Sequence, residues 1–135
     1  MSLIGYALRM AKQYYEPKTY NHALRVAQYV AENPMIPTKK MDDCIALAIM
    51  HDLKEDTEWS GGGGLDEHFS ECLNLITKPK EMNYIDYVKK IHDCSDTKPE
   101  TYWVKMADMK DHLAQTETLT DKLKEKYLTA LPYLL

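Results

Sequence analysis

The chain has few cysteines and no long apolar run. Its three cysteines, Cys44, Cys72 and Cys94, are odd in number and contain no C-x-x-C pair. This pattern favours buried free thiols in a reducing compartment over disulfides or a zinc knuckle. No stretch approaches the roughly 20 apolar residues of a membrane-spanning helix, and the first ten residues do not resemble a signal peptide. We therefore expect a cytoplasmic protein without a membrane partner.

The chain also has no strong excess of positive or negative charge. The formal net charge is −4, so there is no overall basic field for binding a nucleic-acid backbone, and no nucleic-acid partner is expected. With 44% hydrophobic and 28% charged residues, the chain is too apolar to be disordered. Its 135 residues suit one domain, covering residues 1–135.

The sequence shows no strand-like alternation and no internal repeat. Apolar residues recur at helical spacing instead, and Ser2, Thr19 and Thr38 are candidate helix caps. Residues 55–64, with four consecutive glycines, are expected to form a flexible loop. The sequence predicts an all-α, compact single-domain bundle of about six to seven helices. These would cover residues 3–15, 20–33, 39–50, 65–76, 83–92, 100–114 and 120–135, the last being interrupted or ended near Pro132.

Four residues are candidate metal ligands. His51 and Asp52 close a helix that is apolar nearly all round, and burying two such groups is unfavourable unless something charged binds them. His22 lies early on another helix and Asp108 midway along a third, so all four can converge in a bundle. Two imidazoles and two carboxylates suit manganese, iron, cobalt, nickel or zinc. Taken singly, His22 could be an exposed or hydrogen-bonded histidine and Asp108 a solvated carboxylate.

The order His22, His51-Asp52, Asp108 resembles that of the HD phosphohydrolase superfamily. Residues 51–57, HDLKEDT, resemble the H-D-x-x-E-D-T motif of RelA/SpoT-type (p)ppGpp hydrolases. Residues 104–108, VKMAD, resemble the V-K-L-A-D of the same group, and residues 16–22 are similar to the segment that ends at its first metal histidine. Short stand-alone bacterial and phage HD proteins also look similar.

The resemblance implies an HD-type bundle in which the four ligands hold a divalent metal, most often Mn²⁺. It also implies that Glu55 and Asp56 assist attack of a metal-activated water on a nucleotide's 3′-pyrophosphate. The chemistry of the residues agrees, because a divalent ion lowers the pKa of water and a nearby carboxylate can move protons. The alternative for Glu55 and Asp56 is a solvated acidic turn that also contains Glu58.

The nucleotide-contacting positions depart from the family pattern. Gln13 and Tyr14 stand where RelA/SpoT hydrolases usually carry an Arg-Lys pair, and the adjacent Lys12 is a candidate substitute. His112 replaces the family's asparagine. Lying four residues after Asp108, it could touch substrate, compete for the metal or support a ligand.

Lys90 and Lys105 are candidate phosphate contacts, with solvated helix lysines as the alternative. Residues 60–64 lack the Gly-Lys-Ser/Thr ending of a P-loop and are therefore expected to form a flexible loop tip. Tyr84 and Tyr87 are expected to lie in the core rather than to stack on a base.

The leading hypothesis is therefore a metal-dependent hydrolase of a small phosphorylated nucleotide, similar to a (p)ppGpp 3′-pyrophosphohydrolase. One alternative is an HD nucleotidase or nucleoside triphosphohydrolase with another substrate. The other is a non-catalytic nucleotide-binding HD module. The oligomeric state is not indicated by the sequence.

Overall fold

A computed structural model describes residues 2–135, which form eight helices and no strand. Seven of the helices have ten residues or more, and α4 is a single turn of four. The predicted all-α bundle is thus confirmed. In chain order the helices are α1 (Leu3–Tyr14), α2 (Pro17–Ala31), α3 (Thr38–Met50), α4 (Leu53–Asp56), α5 (Glu67–Ile76), α6 (Tyr84–Asp93), α7 (Pro99–Ala114) and α8 (Asp121–Leu134).

One of the three predicted caps is confirmed. The Ser2 hydroxyl accepts a hydrogen bond from the Gly5 N–H at the start of α1. The prediction for Thr19 is wrong, because α2 begins earlier, at Pro17, whose fixed φ suits the first helical turn and whose missing N–H needs no partner there. Thr38 is likewise the first residue of α3 rather than its cap.

The segment between α3 and α5 is only partly the loop that was expected. Leu53 is fully buried and anchors the single turn of α4, and the Thr57 hydroxyl closes it by donating to the Leu53 carbonyl at 2.6 Å. Helix α5 then starts at Glu67, where the Asp66 side chain accepts from the Phe69 N–H, rather than at residue 65. Helical structure therefore extends into the first part of the expected loop, where Leu53 packs into the core. At the other end, capping by Asp66 makes α5 begin two residues later than predicted.

Pro132 neither ends nor interrupts α8, which continues through it to Leu134. A proline this close to a helix end removes few backbone hydrogen bonds, so its effect there is limited.

Two groups of buried side chains meet along α7. Helices α1, α2, α3 and α5 form the larger core around α3, in which Leu47, Ile49 and Met50 are at most 2% exposed. Helices α6 and α8 form the smaller core with the second half of α7 around Ile91, Met109 and others. Cys44 and Cys72 are buried and Cys94 is half-buried, and all three are free thiols, as predicted. Across residues 2–135 we find no helix with both the length and the apolar character needed to cross a bilayer.

Candidate metal centre

The four predicted ligands come together from different parts of the bundle. His22 lies on α2, Asp108 on α7, and His51 and Asp52 follow the last residue of α3. His22 Nε2 is 2.8 Å and His51 Nε2 is 3.1 Å from the same Oδ1 atom of Asp108. Asp52 Oδ2 is 3.2 Å from His51 Nε2 and 3.8 Å from His22 Nε2. One nitrogen or oxygen of each residue thus points to a common centre.

These separations match the spacing of donor atoms around one metal ion. With metal–ligand distances of about 2.1 Å, neighbouring donors lie about 3.0 Å apart in an octahedral site and about 3.4 Å apart in a tetrahedral one. The four distances between 2.8 and 3.8 Å bracket both values. All four distances lie within about 0.6 Å of the tetrahedral spacing, so these side chains could hold a divalent ion after small shifts.

The opposite nitrogen of each imidazole is held by an acceptor. His22 Nδ1 is 2.6 Å from Asp111 Oδ2, and His51 Nδ1 is 2.6 Å from the carbonyl oxygen of Ala48. A proton on Nδ1 donated to these acceptors leaves Nε2 facing the centre, which is the arrangement that orients metal-binding histidines in proteins. This pattern is compatible with metal binding at Nε2 of both histidines.

Asp111 and Arg25 complete the support of His22, and the sequence interpretation missed both. Asp111 is fully buried, and its Oδ1 accepts a hydrogen bond from Arg25 Nε at 2.9 Å. A signal was present, since Asp111 lies three residues after Asp108 and Arg25 three after His22. That spacing places each residue on the helix face of its ligand.

Tyr15 fixes the turn that carries His51 and Asp52. Its hydroxyl donates to the Ile49 carbonyl at 2.7 Å and accepts from the Asp52 N–H at 3.2 Å. The backbone between the end of α3 and the start of α4 is therefore tied to the end of α1.

Opposite charges dominate the electrostatics of the cluster. Burial by itself would lower the pKa of His51, but the Asp52 and Asp108 carboxylates outweigh it and hold that pKa well above its usual range. Burial likewise would raise the pKa of Asp108, yet Lys105 and the surrounding histidines hold it well below the usual range. Burial would also raise the pKa of Asp52, but His51 outweighs it and lowers that pKa. Both carboxylates therefore stay ionised, as metal ligands must be, whereas His51 would release a proton on binding an ion.

Lys105 is the buried cation next to the cluster. Its Nζ lies 2.8 Å from Asp108 Oδ2 and within about 5 Å of the ring centres of Tyr84 (5.1 Å) and Tyr87 (4.9 Å). Asp108 therefore presents one oxygen to the histidines and the other to Lys105.

A small cleft of about 50 Å³ opens beside Lys105. It exposes two further lysines, Lys78 and Lys126, which the sequence interpretation did not select, together with Glu55. The residues that line it are His51, Asp52, Glu55, Ile76, Lys78, Tyr84, Tyr87, Lys105 and Lys126. Two of the four candidate ligands, His51 and Asp52, thus share one cleft with three lysines.

The structure separates Glu55 from Asp56. Both belong to α4, but Glu55 lines the cleft, where its carboxylate accepts the Lys78 N–H at 3.0 Å. Asp56 is not among the lining residues. Burial and the nearby Asp52 charge raise the pKa of Asp56 to about 6.

His112 lies against the cluster. Its Nε2 is 3.3 Å from Asp108 Oδ1, and its ring stacks on Tyr127 at 4.8 Å between centres and is 4.4 Å from the ring of His22. Of the roles considered for it, contact with the metal or its ligands fits this position.

Lys12 and Lys90, two of the predicted substrate contacts, lie elsewhere. Both are exposed, on α1 and at the end of α6, and neither is among the residues that line the cleft. Lys105 is the only predicted substrate-binding lysine that the described residues bring to it. Periodicity could not reveal this, because a lysine's reach into a cleft depends on helix packing.

Comparison with known proteins does not assign the chain. No model of a protein family matches it, and none of the curated proteins matches it either. The function must therefore be argued from the site itself.

Proposed function

We propose that the protein is a divalent-metal-dependent phosphohydrolase acting on a small phosphorylated nucleotide. The first reaction to test is release of the 3′-pyrophosphate from a guanosine polyphosphate. The observation that supports this most is the pair of imidazoles, each held at Nδ1 and directed by Nε2 toward two carboxylates. One of them, His51, also lines a cleft with three lysines. The first feature suits a metal and the second a phosphate.

His22, His51, Asp52 and Asp108 would hold the metal, and mixed nitrogen and oxygen donors suit Mn²⁺ among the first-row ions. When bound, such an ion lowers the pKa of water and neutralises charge on a phosphoryl oxygen. Asp111 and Ala48 keep the histidines oriented for this purpose.

The cleft offers positive charge and an unused donor to a phosphate. The Asp108 carboxylate holds the Lys105 ammonium group in place. Burial and the Lys105 charge lower the pKa of Lys126, because the ammonium groups of Lys105 and Lys126 repel each other. The Tyr84 hydroxyl is buried without a hydrogen-bond partner among residues 2–135. A phosphate oxygen would relieve the repulsion and accept a hydrogen bond from Tyr84.

Glu55 and Asp56 would take part in proton transfer. Glu55 lines the cleft and can accept a proton from the attacking water. Burial and the Asp52 charge raise the pKa of Asp56 to about 6. A carboxyl group with such a pKa can gain and lose a proton near neutral pH. We assign the base role to Glu55 and a supporting role to Asp56.

The rest of the nucleotide would lie outside the small cleft. A volume of about 50 Å³ is far below the roughly 300 Å³ at which small-molecule pockets begin. An open groove of about 560 Å³ adjoins it and shares Tyr84 and Lys126 with it. We propose that the base and sugar occupy this groove, between the start of α6 and the middle of α8.

A second candidate is a nucleotidase or nucleoside triphosphohydrolase with a different substrate. His112 favours it, since the ring that replaces the expected asparagine is stacked on Tyr127 and faces Asp108. The contact that this asparagine would make with a guanine nucleotide could therefore not form at His112.

The test is a product analysis with the Mn²⁺-loaded protein. Guanosine tetraphosphate, ordinary nucleoside triphosphates and monophosphates are incubated with wild type, with Asp52→Ala and with the control Asp42→Ala, which removes an exposed aspartate from α3. Pyrophosphate release from guanosine tetraphosphate that Asp52→Ala abolishes and Asp42→Ala retains supports the proposal. Orthophosphate or tripolyphosphate from other nucleotides supports the second candidate. If wild type turns over none of them, the enzyme proposal fails, and nucleotide binding without turnover, measured by calorimetry, would then support a nucleotide-binding module.

A further inference from the structure

A second group of metal-binding side chains lies away from the centre described above. His68 and Cys72 are one turn apart on α5, and Glu100 lies in the first turn of α7. Cys72 Sγ is 3.7 Å from His68 Nε2, which is 2.8 Å from Glu100 Oε2, and the donor atoms of all three residues lie within 4.8 Å of one another. One nitrogen, one sulfur and one carboxylate thus converge between two helices.

Glu100 is incompletely satisfied in this position. The residue is 3% exposed, and its Oε2 accepts from His68 and, at 3.4 Å, from Lys40. Its Oε1 is buried with no hydrogen-bond partner in the part of the chain that the structure describes. An ionised oxygen left unpaired in the interior is unfavourable, and a cation would satisfy it.

The surroundings of the cluster carry a surplus of negative charge. Burial and the nearby carboxylates of Asp66 and Glu100 raise the pKa of Asp43, which shows that the three acidic groups lie close enough to repel. The His68 ring and Lys40 oppose this rise. A divalent cation would reduce this repulsion.

We propose that His68, Cys72 and Glu100 form a zinc site that joins the start of α5 to the start of α7. Nitrogen, sulfur and carboxylate donors are the ligands that Zn²⁺ takes in proteins, at about 2.0–2.3 Å. Those bond lengths place tetrahedral donors about 3.4 Å (N to O) and about 3.6 Å (N to S) apart. The observed Cys72–His68 separation of 3.7 Å already fits, and the His68–Glu100 pair needs to open by about half an ångström.

Zinc binding at this site releases protons in a defined way. Burial and the Glu100 charge raise the pKa of Cys72 to about 12, so the metal-free thiol keeps its proton. The ion replaces that proton, because a coordinating thiol is deprotonated by the metal. The ion would also take the place of the direct contact between His68 Nε2 and Glu100 Oε2.

The site is independent of the proposed hydrolase centre, which contains no cysteine. Its effect would be to clamp α5, which directly follows the glycine-rich segment, onto α7. We therefore expect Zn²⁺ to raise the melting temperature of the protein.

Cobalt is the probe that separates the two sites, since only a thiolate ligand gives an intense sulfur-to-cobalt charge-transfer band. The full chain is stripped with a chelator under reducing conditions and titrated with Co²⁺, which Zn²⁺ then displaces. Wild type should show the band, and His51→Ala should retain it. His68→Ala should weaken the binding that produces the band by at least tenfold. In the His51→Ala background, where the other centre has lost a ligand, it should also remove the Zn²⁺-dependent rise in melting temperature.

The controls address folding and the other thiols. His68 is about half exposed, so its replacement should not unfold the chain, whereas buried Cys72 carries that risk. Cys72→Ser should abolish the band, and the matched variants His92→Ala and Cys94→Ser should keep it. The proposal is overturned if wild type shows no band, or if His68→Ala gives the same band at the same Co²⁺ concentration as wild type.

Discussion

Asp111 gives the sharpest test of the metal centre, because it touches His22 without being a proposed ligand. Replacing Asp111 by Asn keeps the shape of the side chain but removes one of its two acceptor oxygens. In the structure Oδ2 accepts from His22 Nδ1 at 2.6 Å, while Oδ1 accepts from Arg25 at 2.9 Å. An amide can serve only one of these donors and presents an N–H to the other.

Loss of such support weakens metal binding by about 10- to 100-fold, or about 1.4–2.8 kcal/mol. We expect a decrease of that size in Mn²⁺ affinity for Asp111→Asn, measured by isothermal titration calorimetry. Circular dichroism and thermal melting establish that the variant is folded. Asp42→Asn, at an exposed position of α3, is the matched control and should bind as wild type does. A folded Asp111→Asn protein with unchanged Mn²⁺ affinity would refute the assignment of His22 as an oriented ligand.

Three further predictions concern stability in urea. Tyr15→Phe should lose about 1–3 kcal/mol, because the Ile49 carbonyl and the Asp52 N–H both lose their partner; an unchanged midpoint would argue against this link. Leu47→Ala should lose about 2–5 kcal/mol, as expected of a side chain that is 1% exposed in the main core, and a loss under 1 kcal/mol would contradict its central place. In chelator-treated protein, burial by itself would raise the pKa of Glu100, but the hydrogen bond from His68 and the Lys40 charge outweigh it and bring that pKa below its usual 4.5. The resulting stabilisation is present above pH 4.5 and is lost as pH falls through the lowered pKa. Glu100→Gln should therefore show a shallower decline in unfolding free energy below pH 4.5 than wild type does, and parallel declines would contradict the argument.

Helix content and the set of candidate ligands could be predicted from sequence for physical reasons. Apolar spacing reports directly which face of a helix is buried, and α3 reads as buried on nearly all sides. Polar groups such as His51 and Asp52 are rarely placed at the end of such a helix without a partner. The sequence therefore predicts that these two side chains bind something charged.

The parts that could not be predicted depend on packing between distant segments. Tyr15 reaches Ile49 across 34 positions, and no local pattern indicates that contact. Lys78 and Lys126 look like ordinary surface lysines in the sequence, as Lys12 and Lys90 do. Only the relative placement of the helices decides which of these ammonium groups faces the cleft.

The distance along the chain between the ligands has a consequence for biosynthesis. His22 and Asp108 are 86 positions apart, with His51 and Asp52 between them. A nascent chain still on the ribosome therefore lacks one ligand until most of the polypeptide has emerged. If the proposed centre binds its metal, tight binding requires α2, α3 and α7 to have assembled, so that it would act as a checkpoint on completed folding. Truncated chains that end before Asp108 would fail this checkpoint even if their first helices form.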